Sequence, residues 1–273
     1  VQTCALPIFG KEVTVLYPKQ TAEIGGPVLE VQHLSDGETV KDLSFCVHKG
    51  EILGLYGLVG SGATECPEAL FGLVSSARGT FRMDGHPIHL NSPAQAVANH
   101  IAYVPPDRHR QGIIRQLSIR FNLTLAVVRR LCRRGFVRRQ AEQALVDEYI
   151  EKLRIKCAGD AQKVTFLSGG NQQKVVIAKW LATKPSLLIL NDPTRGVDVG
   201  AKAEIYALIS ELACAGMAII ITSSEISEIL GMSDRILVLN EGVVSREFLR
   251  GQADQKSLLS AALVRADAPQ GGL

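Results

Sequence analysis

An α/β domain with a parallel sheet at its centre is the fold class this sequence predicts, and three observations lead there. After residue 170 the chain alternates helical stretches with short apolar runs, the pattern of β-α-β units. The runs at 187–190 and 217–221 are apolar without interruption, as strands covered on both faces are. Earlier, residues 51–56 read as a buried strand that enters a glycine-rich loop, and residues 64–73 can follow as a helix. Pro67 is tolerable there because it falls in the first turn, where no backbone hydrogen bond is lost.

The other elements follow in order. Residues 1–8 lack a Met, a charged start and the apolar length of a signal peptide. They resemble translated adapter read-through, so a non-native start and a missing N-terminal part are expected. Residues 9–27 have linker composition, with Tyr17-Pro18-Lys19 and Gly25-Gly26-Pro27 as breakers. Residues 28–47 alternate like short strands, interrupted by Ser35-Asp36-Gly37, and residues 78–104 read as strand and turn ending in strand 101–104. Residues 118–156 are helical in pattern, with Ala144, Leu145, Val146, Tyr149, Ile150 and Leu153 near i, i+3, i+4 spacing. Then come helix 171–183, strand 186–191, helix 201–215, strand 217–223, helix 225–231 and strand 235–239. After Gly251 the chain reads as a frayed terminus ending in Ala268-Pro269-Gln270-Gly271-Gly272-Leu273. The expected division is 1–27 start and linker, 28–250 folded domain with a helical part at roughly 115–165, and 251–273 tail.

Bulk properties exclude several function classes. A formal charge of +3 on 273 residues is too mild to argue for nucleic acid. Arg129, Arg130, Arg133, Arg134, Arg138 and Arg139 cluster, but only Phe136 is interleaved as a stacking residue, so a solvated face is expected. The apolar runs are far too short to span a bilayer, so a membrane role requires a partner. The six cysteines (4, 46, 66, 132, 157 and 214) have no zinc spacing and read as free thiols. His86 and His89, with Pro87 between them, read as turn residues.

Three short segments carry chemistry. Gly57-Leu58-Val59-Gly60-Ser61-Gly62-Ala63-Thr64 lies between strand and helix, where successive N–H groups and a helix start point at one anion. The full G-x-x-x-x-G-K-[ST] motif has Lys where this chain has Ala63, so the point charge for β- and γ-phosphates is missing. Thr64 keeps a hydroxyl that can reach Mg²⁺. Asn191-Asp192-Pro193-Thr194 closes an apolar strand where phosphate-loop ATPases place an Asp for the metal shell. Finally, Ser168 is a natural N-cap, and Gly169 and Gly170 let an anion approach the bare N–H groups of the following helix. Lys174, Lys179 and Lys184 fall on its expected wet side.

Together with the uninterrupted Leu167-Ser168-Gly169-Gly170-Asn171-Gln172-Gln173-Lys174, these segments resemble the second nucleotide-binding domain of a sugar-importing ABC transporter ATPase. The type is the tandem-domain one that serves ribose, xylose or galactose-like sugars. The resemblance covers residues 9–248, with support from Lys49-Gly50-Glu51-Ile52-Leu53-Gly54, Asp107-Arg108, residues 192–200 and Ser233-Asp234-Arg235-Ile236. It implies a P-loop NTPase fold with a RecA-like parallel-sheet core, an antiparallel β subdomain and a helical subdomain. It implies ATP and Mg²⁺ as cofactors, with Gly57, Leu58, Val59, Gly60, Ser61, Gly62, Ala63, Thr64 and Glu65 as the chain's own Walker A loop. Leu167, Ser168, Gly169, Gly170, Asn171, Gln172 and Gln173 would be a signature that caps ATP held by an opposite domain, and Asp198 the residue that crosses the interface. Asn191 and Thr64 would face Mg²⁺, Asp192 stands at the position of the catalytic Glu, and Ser224 at that of the switch His. The coupling Gln or Glu falls at Pro106.

Ala63, Pro106, Asn191, Asp192 and Ser224 all depart from a competent site, whereas the signature does not. Asn191 removes charge near the metal, and Asp192 is one methylene shorter than Glu. The expectation is an ATP-binding domain of a simple-sugar importer, weak or inactive alone. It would work on the cytoplasmic face of the inner membrane with a first nucleotide-binding domain, permease subunits and, indirectly, a sugar-binding protein, without nucleic acid. Two alternatives stand beside it: a nucleoside or signal-molecule importer ATPase, and a non-transport ABC ATPase or regulatory module.

Overall fold

A computed structural model describes residues 17–263. Its first layer is an antiparallel sheet of order β2-β1-β4-β5, made of β1 (Pro27–Ser35), β2 (Leu43–His48), β4 (Arg78–Met83) and β5 (His86–Ile88). The second is a six-stranded sheet of order β12-β11-β3-β10-β9-β6. It contains β3 (Ile52–Gly57), β6 (Ile101–Val104), β9 (Leu187–Asn191), β10 (Ala218–Thr222), β11 (Arg235–Asn240) and the edge strand β12 (Val243–Leu249). All its pairings are parallel except β11 with β12.

Continuous apolar strands serve two cores at once, because successive side chains leave opposite faces. Leu188, Leu190, Ile219 and Ile221 enter the core covered by helices. Leu187, Ile189, Ala218 and Ile220 enter the one shared with the antiparallel sheet. The latter also receives α1 (Glu65–Leu70) through Cys66, Ala69 and Leu70, and α2 (Pro93–Ala98) through Ala96. The former receives α6 (Gly169–Leu181), α7 (Val199–Cys214), α8 (Ile226–Met232) and α9 (Gln255–Leu263).

The segment expected to be one helical region is broken. It holds α3 (Ile119–Thr124), α4 (Val128–Leu131), a hairpin of β7 (Cys132–Arg133) and β8 (Phe136–Val137), and α5 (Arg139–Lys152). Arg134 and Gly135 both have positive φ, 51° and 85°, which suits a tight hairpin turn and not a helix. Residues 78–104 hold the short helix α2 besides the expected strands. Among the described residues no helix is long and apolar enough to cross a membrane.

Both expected flanks touch the core. Residues 17–26 have no regular element, yet Tyr17 stacks on Tyr206 at 5.1 Å, Lys19 pairs with Asp234 at 2.9 Å, and Gln20 N donates to Ser210 Oγ. Beyond Gly251 the chain is not frayed throughout, because α9 buries Leu258, Ala261 and Ala262 against β3 and β11. The expectations for residues 1–16, including the non-native start and Cys4, and for 264–273 lie outside the described residues.

Truncating the fully buried Leu258 to Ala should lower unfolding free energy by roughly 2–5 kcal/mol in urea titration. A loss below about 0.5 kcal/mol, the scale of a surface substitution, would mean that α9 is not part of the cooperative fold.

Candidate functional site

The glycine loop leaves the C-terminal end of β3. Gly60 and Gly62 have φ of 81° and 95°, a region closed to most side chains. A Cβ on Gly57 would strike Ser61 Oγ and lie 2.6 Å from Leu239 O, so the loop can fold over the strand end only with glycine there. Ser61 is buried, and its carbonyl accepts from Gly242 N at 3.0 Å. The N–H groups of Gly60, Gly62 and Thr64 find no acceptor among the described residues. Thr64 opens α1 without a side-chain cap, and Glu65 and Glu68 stand in its first turn. This backbone cradle fits an anion. Its cation does not exist: Ala63 is buried in the core beneath the antiparallel sheet.

Parallel pairing sets Thr222 of β10 between Asn191 of β9 and Leu55 of β3. Asn191 is buried and fully engaged. Its Nδ2 donates to Tyr103 Oη at 3.2 Å and Thr64 O at 3.3 Å, and its Oδ1 accepts from Thr222 Oγ1 at 2.8 Å. The residue expected at the metal is thus used to tie β9, β10 and the start of α1 together. Burial raises the Tyr103 hydroxyl pKa above its ordinary value, keeping it a neutral partner for Asn191. Asp192 has φ 49° and donates its N–H to Thr222 O. Its carboxylate accepts from Ser224 Oγ at 3.1 Å, so the two positions expected to be catalytic are joined. The exposed Thr64 hydroxyl donates to Glu65 Oε2 at 3.0 Å, which leaves it and Asp192 as a set that fits Mg²⁺ poorly. Pro106 follows β6 and brings no donor or side-chain oxygen.

The signature run is built differently. Ser168 caps α6: its Oγ accepts from Asn171 N at 3.5 Å and Asn171 Nδ2 at 2.9 Å. Among the described residues its hydroxyl donates to nothing. Asn171 Oδ1 accepts from Lys156 N at 2.8 Å, and Gln172 Nε2 donates to Leu167 O at 2.9 Å, so the cap is held from both sides. A Cβ on Gly170 would strike Ala201 of α7, so this glycine also serves helix packing. Gln173 is buried. Lys174 and Lys179 are buried too, against the expectation of a wet face. Lys174 Nζ binds Glu204 at 2.8 Å, and Lys179 Nζ donates to Gly112 O at 2.6 Å, with burial lowering the Lys179 pKa to about 8. Only Lys184 is exposed. Asp198 caps α7 by accepting from Ala201 N at 3.0 Å.

Two residues that carry the site were missed. Glu228 on α8 is fully buried and accepts from Thr194 Oγ1, at 3.3 and 3.2 Å, and from Ser223 Oγ. It therefore joins the turn after Asp192 to the segment before Ser224. Arg108, noted only as part of a motif, donates to Arg195 O at 2.7 Å and Gly196 O at 2.9 Å. A charge on the Met232 side of an otherwise apolar helix was the available signal for Glu228.

A strand, glycine loop and helix at the edge of a parallel sheet, with a second helix start in the same domain, define the P-loop fold of ABC ATPases. The ABC transporter family model matches residues 40–195, and the chain belongs to that family. It is 44% identical over 253 residues to the ribose import ATP-binding protein RbsA 2 of Rhizobium johnstonii, covering 93% of this chain and 49% of that protein. It is 45% identical over 262 residues to the xylose import ATP-binding protein XylG of Burkholderia cenocepacia, covering 93% and 50%. The chain thus spans about half the length of the curated relatives it matches. A nucleotide-free ATP-binding cassette from an ABC transporter superposes with TM-score 0.70 at 20% identity, over 86% of this chain and 95% of that one. A dimeric ATP-binding cassette bound to ADP and Pi gives 0.66 at 22% identity, over 81% and 98%.

Burial pushes Glu228 up to about 7 from the usual carboxylate value, with Asp192 adding to the rise and Ser223, Thr194 and Lys202 opposing it. Between the unfolded value and about 7 the native state binds more protons, so this group's contribution to stability falls as pH rises through that window. Glu228→Gln should therefore gain stability relative to the parent between about pH 5 and about pH 8, by roughly 1.4 kcal/mol per unit of pKa difference removed. Urea unfolding at the two pH values measures it; a difference between the two proteins that does not change with pH would contradict the assignment.

Proposed function

We propose that this chain is one nucleotide-binding half of an ATP-driven importer for a simple sugar, and that its working contribution is the signature. The carrying observation is the contrast between two helix starts. At α6 a complete run offers open N–H groups and a Ser168 hydroxyl with no acceptor among the described residues. At α1 the loop has Ala63 for Lys, and Asn191 is consumed by Tyr103, Thr64 and Thr222.

Residues 167–173 cap ATP held by the phosphate loop of an opposite, first nucleotide-binding domain, and Asp198 reaches across beside them. Each partner-facing segment carries an exposed apolar residue that a protein surface would cover: Val59 in the loop, Phe166 before the signature and Val199 after Asp198. A Mg²⁺ ion accompanying the ATP would neutralise phosphate charge, and on this chain Thr64 and Asp192 are the residues that would face it. Locally, the glycine cradle holds nucleotide weakly through backbone N–H groups, and Thr64 is the one well-placed hydroxyl. The Asp192 carboxylate is short for a base and already bound by Ser224. Losing a phosphoryl-stabilising cation costs on the order of 3–4 kcal/mol in the transition state, as for one oxyanion donor, so the combined losses leave little local turnover.

The sugar class is supported by the ribose and xylose importers among the relatives. Permease subunits are the expected membrane partners, at the cytoplasmic face of the inner membrane. An apolar stripe of Phe121, Leu125 and Val128 is exposed on the helical region and suits such a contact. A sugar-binding protein would act through the permease.

ATP hydrolysis by the isolated chain should be near background and rise when the first domain is added. Robust turnover by the chain alone, abolished by Thr64→Ala, would contradict the reading. Ser168→Arg should suppress turnover of the pair while nucleotide affinity at residues 57–64 changes by less than about twofold. Lost local affinity with unaffected turnover would mean that the signature serves its own loop.

A further inference from the structure

The turn from Asp192 to Asp198 is gripped from two sides. Glu228 holds Thr194 from within the core. From the other side the Arg108 guanidinium straddles the backbone, Nη1 on Arg195 O at 2.7 Å and Nη2 on Gly196 O at 2.9 Å. The same guanidinium lies against the first residue of α6: a Cβ at Gly169 would come within 3.0 Å of Nη2 and 3.4 Å of Gly196 O. Its Nε is buried without a partner among the described residues, so the side chain is committed to these two carbonyls at a polar cost.

The base of Arg108 is fixed as firmly as its tip. It begins a π-helical turn, Arg108–Gly112, whose first N–H groups are capped by Asp107 Oδ1, from His109 at 2.9 Å and Arg110 at 3.0 Å. Lys179 of α6 donates to Gly112 O at 2.6 Å, and a Cβ on Gly112 would lie 3.1 Å from Val176 Cγ2. The turn therefore travels with α6, and through Arg108 the Arg195–Gly196 peptide travels with both.

We infer that Arg108 is a positioning residue that locks the Arg195-to-Asp198 turn to the start of the signature helix, so that both reach the partner's nucleotide in one fixed relation. This rests on the head-to-tail reading above. A guanidinium is the group such a lock needs, since its rigid fork satisfies two carbonyls at once where an ammonium is a single point donor.

Two readouts test it, and the first needs no partner. Arg195 is exposed, and tryptic cleavage between Arg195 and Gly196 reports the freedom of the turn. Arg108→Ala should speed that cut by at least about 10-fold, Arg108→Lys by less; an unchanged rate would overturn the lock. In the second, the chain is paired with the first nucleotide-binding domain. Arg108→Ala should lower kcat about 10- to 100-fold with KM for ATP within about twofold, and added guanidinium, unlike sodium chloride, should restore part of it. Unchanged kcat, while Ser168→Arg suppresses turnover in the same assay, would overturn the positioning role. If Ser168→Arg is silent as well, the head-to-tail reading is what fails, and the cleavage result still decides the lock.

Discussion

Parallel register is the constraint on which the rest of this molecule depends. Because β3, β10 and β9 run the same way and pair in step, their C-terminal ends arrive side by side. The glycine loop, Thr222 to Ser224 and Asn191 to Asp198 therefore emerge at one edge of the sheet, the usual place for a ligand in an open α/β sheet. The apolar strands that enforce the register are covered on both faces, so a slip of one residue would exchange two cores. Their burial sets the register that brings the site's parts to that edge.

At that edge the polar groups are spent largely on holding the protein. A chain that used Asn191 as a metal ligand would leave its amide partly free; here Tyr103, Thr64 and Thr222 occupy both ends. Asp192 is likewise paired with Ser224. The α6 start is the opposite case: its cap is braced by Asn171, Ser168 is exposed, and among the described residues its hydroxyl donates to nothing. One domain thus contains a strand end whose polar side chains are engaged with one another and a helix start whose cap hydroxyl keeps a donor to spare.

The parallel core was legible because fully buried strands leave continuous apolar runs, and the loop because Gly57, Gly60 and Gly62 answer to steric needs visible at that spacing. Less was legible where a pattern has two solutions. Residues 132–137 fall inside the stretch that reads as helical, but they turn back at Arg134-Gly135, where both φ values are positive. Lys174 and Lys179 look solvent-facing by residue type. Each is buried because a distant acceptor waits for it, Glu204 from α7 and the Gly112 carbonyl. Glu228 reaches Thr194 and Arg108 reaches the Arg195 carbonyl, 34 and 87 residues away, and no local window contains that information.

The ATP proposed for this chain lies under residues 167–173 and is held by another domain's loop. Amide hydrogen exchange with and without Mg-ATP and the first nucleotide-binding domain tests it most directly. ATP should slow exchange at residues 168–173 and 196–199 only when the partner is present, with at most weak slowing at 57–64. Strong slowing at 57–64 in the chain alone, with none at 168–173 in the pair, would contradict it.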